Sequence, residues 1–252
     1  MRDWLFTRPD PRRSVAAMTK RIAMWSGPRN LSTAMMYSFG ARSDCRVVDE
    51  PFYAAYLAQS GADHPMRDAV LASQPTDPDH VAKTLISPVS EPVFYQKHMC
   101  HHMLPEWPTA WMKDMHHVLL IRHPARVVTS YAKKREAPVL GDLGFVQQAE
   151  MLAQMDAPIV VDSSDIRANP ALMLQELCRR SDIPWTPEML HWPSGGHPQD
   201  GVWAAHWYGA VHASTGFEGA EGPLPTLAGT YADLANAAMP YYRTLAAAKI
   251  TV

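Results

Sequence analysis

The sequence predicts an α/β fold with a mainly parallel central sheet flanked by helices, on three observations. Short apolar runs alternate with helical segments along most of the chain, the pattern of repeated βαβ units. One run, 117–122 (HVLLIR), is continuously apolar up to its Arg, as in a strand covered on both faces. The runs also end at glycine, proline or acidic residues, which break regular structure where a strand hands over to a helix.

Element by element, the first strand is expected over 21–25 (RIAMW), stopped by Ser26-Gly27-Pro28. A helix over 31–39 follows, with Ser32 or Thr33 near its start and Gly40 expected as a left-handed cap. Residues 46–48 form a second strand closed by Asp49-Glu50-Pro51, and 93–97 a third. Between them, 65–92 reads as short helices mixed with a surface excursion. The strand at 117–122 ends at His123-Pro124 and leads into a helix over 125–134. A last pair comprises a strand over 158–162 and a helix opened by Asn169-Pro170 and running to Ser181, proline being well tolerated in a first turn. Residues 185–230 hold most of the later Gly, Pro and Trp and read as an ordered but irregular lid or wrap. With no internal repeat and no second boundary, one domain over 20–252 is expected.

The chain has 252 residues, 47% of them hydrophobic, enough for a sizeable core. Lys+Arg number 23 against 25 Asp+Glu, a formal net charge of −2. That balance excludes the whole-molecule basic field of a protein that tracks a nucleic-acid backbone and argues against an anionic membrane as partner. Any anion must be held locally. Cys45, Cys100 and Cys178 are odd in number and widely spaced, which fits a reducing cytoplasm better than a secreted disulfide framework. No apolar run reaches the roughly 18–20 residues of a membrane span. The first segment, 1–19, is basic and proline-interrupted without the pattern of a secretory signal, and reads either as a loose arm or as sequence upstream of a start at Met18.

The first strand–turn–helix carries the most chemistry. In the turn WSGPRNLST, successive backbone N–H groups and a helix N-terminus can converge on an anion, with Arg29 adding a permanent charge. It lacks the Gly-Lys-Ser/Thr of the nucleotide-triphosphatase loop. Taken alone, the turn also suits an ordinary βα connection with an exposed Arg. A second feature stands at the end of the apolar strand: Arg122, with Ser130 eight residues on. Open α/β sheets place ligands at the carboxyl ends of their strands, and a guanidinium with a hydroxyl suits a phosphate monoester. The alternative is a local ion pair and a solvated Ser.

These residues bring the chain to a family. It resembles the sulfotransferases that use 3′-phosphoadenosine 5′-phosphosulfate (PAPS), whose fold is a three-layer P-loop-type domain. Their 5′-phosphosulfate loop, Pro-Lys/Arg-Ser-Gly-Thr/Ser-Thr, is matched here by Pro28, Arg29, Ser32 and Thr33, with Asn30 and Leu31 in place of Ser-Gly. Their 3′-phosphate motif is matched by Arg122, Pro124 and Ser130, with His123 where an acidic or amide residue is usual. A third block, a strand ending in Tyr-Glu-Asp, then a Pro-started helix and a Leu-Gly-x-Pro-like turn, is similar to Ser163-Ser164-Asp165, Asn169-Pro170 and Ser181-Asp182-Ile183-Pro184. Ser163 stands where a Tyr often lies against adenine. The resemblance runs in order over about residues 21–187, and 195–217 is expected either to fold over the nucleotide or simply to pack on the core.

The resemblance implies transfer of a sulfuryl group to a hydroxyl or amine of a small molecule. PAPS would be co-substrate, no metal would be required, and the cofactor site would comprise Pro28, Arg29, Asn30, Leu31, Ser32, Thr33, Arg122 and Ser130. Arg29 would serve the departing phosphate, and Lys97 would reach the transferring group. Two bases compete: Glu50, favoured on position, and His98, which resembles a strand-end His of the cytosolic enzymes, although those have one residue between Lys and His. His101 and His102 are further choices. A free His titrates near 6.5 and is poised as a base, whereas a Glu near 4.3 needs burial. The crowded set His98, Cys100, His101, His102, His116 and His117 lacks zinc-site spacing. An ATP-dependent P-loop kinase, suggested by Asp49-Glu50 as a magnesium pair, and a non-catalytic nucleotide-binding member are the competing readings.

Overall fold

A computed structural model describes residues 19–252. The expected basic arm over 1–19, apart from Thr19, and the alternative start at Met18 lie outside the described residues. The strands are β1 (Lys20–Ser26), β2 (Cys45–Asp49), β3 (Val93–Met99), β4 (His116–Ile121) and β5 (Ile159–Asp162). They form one sheet in the order β2-β3-β1-β4-β5, every pairing parallel. The helices are α1 (Ser32–Gly40), α2 (Tyr53–Ser60), α3 (Arg67–Ser73), α4 (Pro78–Ile86), α5 (Pro124–Tyr131), α6 (Phe145–Gln154), α7 (Ser163–Ala168), α8 (Pro170–Arg180), α9 (Ala204–Trp207), α10 (Gly209–His212) and α11 (Gly229–Ala247).

Strand side chains alternate between faces, and here both faces are dry. Ile22, Met24, Tyr95, Val118, Leu120 and Val161 pack with α1 and α8 through Met35, Phe39, Leu174 and Leu177. Ala23, Trp25, Phe94, Leu119, Ile121 and Val160 pack with α5, α6 and α11 through Val127, Val128, Phe145 and Ala238. The result is a helix–sheet–helix sandwich. A third apolar cluster joins α2 and α3 to Trp203 and Tyr208 of the late segment. Among the described residues, no helix is long and apolar enough to cross a membrane.

This topology sets where a ligand can sit. The chain leaves β1 for α1 on one face and leaves β4 for α5 on the other, so the two loops diverge between neighbouring strands. Such a switch point opens a crevice at the carboxyl edge. The crevice holds both sequence features, the turn after β1 and Arg122 after β4.

Three expectations are corrected. Gly40 is the last residue of α1 and is followed by Ala41 in ordinary right-handed helical geometry, so it is not a left-handed cap. Its lack of a side chain serves space: a Cβ there would lie 2.7 Å from His197 Nε2. Ser163-Ser164-Asp165 does not prolong β5 but opens α7, because Asp162 Oδ1 accepts from Ser164 N at 2.9 Å and caps it. And β3 runs two residues past Lys97, carrying His98 and Met99 into the sheet.

The turn after β1 fits only through two glycines. A Cβ on Gly27 would stand 2.0 Å from Leu143 O, and one on Gly144, at φ 79°, 2.9 Å from Gly27 Cα. Gly27→Ala is therefore expected to lower stability by about 1–3 kcal/mol, as overpacking does, whereas Gly141→Ala, with nothing within 4 Å of its Cβ, should leave the urea midpoint nearly unchanged. Equal midpoints for the two variants would contradict the close packing at Gly27.

Candidate active site

The turn 26–31 is held by buried amides at the sheet edge. Gln148 Nε2 donates to Trp25 O at 3.1 Å and to Leu120 O at 2.9 Å, and Asn30 Nδ2 donates to Leu120 O at 3.1 Å. Asn30 is fully buried, so an amide in place of the family's Ser ties the turn to β4. Arg29 and Leu31 both have positive φ, 62° and 73°. Leu31 thus adopts the left-handed backbone for which the resembling loops use glycine, a conformation costing a non-glycine residue roughly 1 kcal/mol. No side chain caps α1, and its first bond runs from Met35 N to Leu31 O at 3.1 Å. The N–H groups of Ser32, Thr33 and Ala34 precede that bond, and Ser32, Thr33 and Ala34 line the cavity. They are donors at the positive end of a helix dipole.

The two sequence motifs meet here. Arg29 Nε donates to Ser130 Oγ at 2.9 Å, and Arg122 Nη1 donates to Arg29 O at 2.9 Å. Ser130 lies behind Arg29, while Pro28, Arg29, Asn30, Leu31 and Arg122 face the cavity. The Arg29 guanidinium is held below its ordinary pKa, first by burial and then by the charge of Arg122. Two like charges in partial burial destabilise each other until an anion joins them.

Next to this cradle lies a buried knot. Asp49 of β2 stands opposite Lys97 of β3 in the parallel register, and Lys97 Nζ donates to Asp49 Oδ1 at 2.7 Å, Glu50 Oε1 at 2.5 Å and Tyr208 OH at 2.6 Å. Tyr208 OH also lies 2.8 Å from Asp49 Oδ2 and accepts from Trp203 Nε1 at 2.9 Å. Burial alone would lower the Lys97 pKa, but the charges and hydrogen bonds of Asp49 and Glu50 outweigh it and hold it above the ordinary value. Glu50 is pushed up by burial and by Asp49, with Lys97 opposing. Its Oε1 is taken by Lys97, while Oε2 points to His102 Nδ1 at 3.9 Å. Glu50 has the positive φ of 39°, a strained backbone of the sort found at functional sites. Both carboxylates that suggested a magnesium pair are thus engaged by an ammonium. Among the described residues, no group of three His, Cys, Asp or Glu is arranged to hold a metal.

His98 is corrected as a candidate base. Side chains alternate along β3, so Lys97 and Met99 face the cavity and His98 faces the opposite side. His98 stacks on Trp25 with ring centroids 4.3 Å apart, is 2% exposed, and donates from Nε2 to Gln96 Oε1 at 3.2 Å. Burial, then the charges of His117 and Lys97, lowers its pKa to about 3. The position one residue removed from Lys97 holds Met99, a thioether with no basic nitrogen.

The remaining wall is aromatic. His102 stacks on Tyr53 at 4.4 Å and Tyr56 at 4.9 Å, and Tyr53 OH lies 3.0 Å from His64 Nδ1. Burial, then neighbouring imidazoles, holds His102 well below its usual pKa and His101 at about 4, so both are neutral. Tyr208, Trp207, Tyr53 and Met99 are site residues that motif reasoning missed. They carry no spacing signal, and only the aromatic density of 203–208 pointed their way. Within the late segment the two expected roles divide by residue: Trp203 is 1% exposed in the third core cluster, whereas Trp207 lines the cavity and its carbonyl accepts from Arg29 Nη1 at 3.3 Å.

Comparison with known proteins follows the same lines. A family model described as "Sulfotransferase domain" matches residues 20–249. Two Arabidopsis thaliana proteins, called branched-chain-amino-acid aminotransferase-like protein 1 and 2, are 37% and 35% identical over 229 and 230 residues, 89% of this chain but 41% of each relative. The chain therefore spans about two fifths of the length of the curated relatives it matches. Among solved structures, a sulfotransferase domain from the curacin biosynthetic pathway shares the fold, with a TM-score of 0.51 at 14% identity over 89% of this chain and 98% of that one.

The knot generates a test of its own. Tyr208→Phe keeps the ring but removes the hydroxyl shared by Lys97, Asp49 and Trp203, and should cost about 1–3 kcal/mol by urea denaturation, the range for leaving buried polar groups unpaired. An unchanged midpoint would show that the hydroxyl is not part of the knot.

Proposed function

The chain belongs to the sulfotransferase domain family, and on that premise we propose that it transfers a sulfuryl group from PAPS to a hydroxyl or amine of a small-molecule acceptor in the cytoplasm. The observation that carries this reading is the convergence of Arg29, Ser130 and Arg122 on the N-terminus of α1, beside a carboxylate with one free oxygen. The donor set suits a polyanionic nucleotide, since the Arg29 and Arg122 guanidiniums and the N–H groups that open α1 share one wall of the cavity. When bound, PAPS supplies the S–O bond that breaks as an acceptor oxygen or nitrogen attacks sulfur.

The chain's own residues would divide the work as follows. Ser32, Thr33 and Ala34 N–H and the Arg29 guanidinium stabilise negative charge as it gathers on the departing phosphate oxygen, which is electrostatic catalysis by preorganised donors. Arg122, with Ser130 bracing Arg29, holds the 3′-phosphate and so fixes the nucleotide along the crevice. Glu50 Oε2 takes the acceptor's proton. Its raised pKa makes it a better base than a solvent-exposed Glu, and Lys97 and Tyr208 hold the other oxygen so that Oε2 keeps its direction. The neutral aromatic wall of Tyr53, His101, His102 and Trp207 suits an uncharged, ring-bearing or apolar acceptor and excludes water.

Calorimetric titration with 3′-phosphoadenosine 5′-phosphate should show tight binding that Mg²⁺ does not alter. No binding of that nucleotide, with binding of ATP–Mg²⁺ instead, would contradict the reading and favour the kinase. Arg122→Ala should weaken this nucleotide far more than adenosine 5′-phosphate, and an equal loss would contradict the role given to it, whereas Ser130→Ala, which only unbraces Arg29, should weaken both ligands to a similar degree. With PAPS and a panel of phenols, alcohols and amines, Glu50→Gln should lower kcat by about a hundredfold or more while nucleotide binding stays nearly intact. In the parent enzyme, activity should fall as pH drops through the Glu50 pKa, which lies above the ordinary carboxylate value. That acid limb should vanish from the residual activity of Glu50→Gln. A fully active Glu50→Gln enzyme would move the base elsewhere.

A further inference from the structure

Arg122 does not stand alone. Arg126 of α5 and Arg167 of α7 reach the same place, and the group that fills it is the carboxylate of Glu221. Arg122 Nη2 donates to Glu221 Oε1, Arg167 Nη1 lies 3.2 Å from the same oxygen, and Arg126 Nε lies 2.8 Å from Oε2. The Glu221 side chain is 3% exposed. Arg167 also meets Glu218 at 2.9 Å, but that carboxylate is 71% exposed and correspondingly screened.

Three guanidiniums around one buried monoanion leave an excess of positive charge. Arg122 Nε is itself buried without a hydrogen-bond partner. A planar carboxylate offers two oxygens to three planar forks, whereas a phosphate monoester brings up to two charges and three acceptor oxygens. Arg122 and Arg167 both line the cavity that the turn after β1 opens into.

The segment carrying Glu221 is built to let go. Among the described residues, 217–227 make no backbone-to-backbone hydrogen bonds. Phe217 packs edge-on against Trp192, 5.2 Å between centroids, and α11 begins at Gly229. Between these anchors the strap is held by the arginines: Arg167 Nε donates to Gly219 O at 3.1 Å, and Arg126 Nη2 donates to Gly222 O. A segment with few backbone bonds opens at low cost.

We propose that Arg126 and Arg167 join Arg122 in binding the 3′-phosphate dianion of the donor nucleotide, and that Glu221 is an internal stand-in for it, a carboxylate on a releasable strap that competes for the same three guanidiniums. This rests on the nucleotide reading above. The competition has two consequences. The arginines are never left buried and unpaired when no nucleotide is bound, a state that is strongly disfavoured. And a nucleotide lacking that phosphate cannot displace the carboxylate, so selectivity comes from an internal competitor as well as from contacts with the ligand.

Calorimetry with 3′-phosphoadenosine 5′-phosphate and with adenosine 5′-phosphate, on the parent chain and on Glu221→Gln, Glu221→Ala, Glu218→Gln and Arg167→Ala, tests this. Removing the competitor raises the fraction of molecules with free arginines, so Glu221→Gln should bind the 3′-phosphorylated nucleotide about tenfold tighter and adenosine 5′-phosphate within about threefold of the parent. Glu221→Ala should move in the same direction, and Arg167→Ala should weaken only the 3′-phosphorylated ligand. If both Glu221 variants leave that affinity unchanged or weaken it, while the parent chain still prefers the 3′-phosphorylated ligand, Glu221 orients the arginines and the proposal is overturned. An equal gain in Glu218→Gln would overturn it too, since loss of any nearby charge would then suffice. A parent chain with no preference between the two ligands would instead sink the nucleotide reading.

Discussion

A single buried ammonium organises this molecule's working edge. Lys97 Nζ, on a residue 1% exposed, is bound by Asp49 from the end of β2, Glu50 from the turn after it, and Tyr208 from the late segment. The pairs need not stabilise the fold relative to an apolar core, because desolvating charges costs about as much as their attraction returns. Their effect is geometric. Removing one partner leaves an uncompensated charge in the interior, which costs roughly 3–5 kcal/mol, so the partners stay together. The strained backbone of Glu50 is held in place, one of its oxygens is fixed while the other faces the cavity, and the late segment is drawn across the carboxyl edge. Gly201 N, donating to Asp49 Oδ2 at 3.2 Å, adds a second tie from that segment.

Against this locked knot of one ammonium and two carboxylates, the neighbouring half of the crevice is a positive field. The whole chain carries a net charge of only −2, but Arg29, Arg122, Arg126 and Arg167 gather with the positive end of α1 at one switch point of the sheet. Field strength at a site depends on local arrangement and low-dielectric walls far more than on total charge. A near-neutral composition leaves room for a compact anion site. Glu221, brought from the far end of the chain, shows how much of that field the protein must balance internally when no ligand does so.

The sheet and the placement of the two phosphate-type motifs were legible because they rest on local signals: continuous apolar runs, strand-ending Gly and Pro, and an Arg at a strand terminus. The substitutions Asn30 and Leu31 looked like departures, and only three dimensions explain them. Asn30 is a tether to Leu120, and Leu31 accepts a left-handed backbone. The helices α6 and α11 escaped notice because their apolar positions follow no clear boundary signal and α11 contains Pro240. His98 misled because a motif records spacing but a strand enforces alternation, so a shift of one residue turns a candidate base into a core residue stacked on Trp25. Tyr208, Arg126, Arg167 and Glu221 could not be grouped from sequence, since they meet the motif residues only across separations that topology alone closes.

The central claim is that a polyanionic nucleotide occupies the crevice between β1 and β4, held by the N-terminus of α1 and the Arg122 side of the edge. Amide hydrogen exchange with and without 3′-phosphoadenosine 5′-phosphate reads this directly, because the N–H groups of Ser32, Thr33 and Ala34 precede the first helical bond and gain their acceptor from the ligand. Protection on nucleotide addition is expected in 27–34 and around 122–130, with the aromatic wall of 53–64 little changed. Protection confined to other segments, or none at saturating nucleotide, would contradict the account.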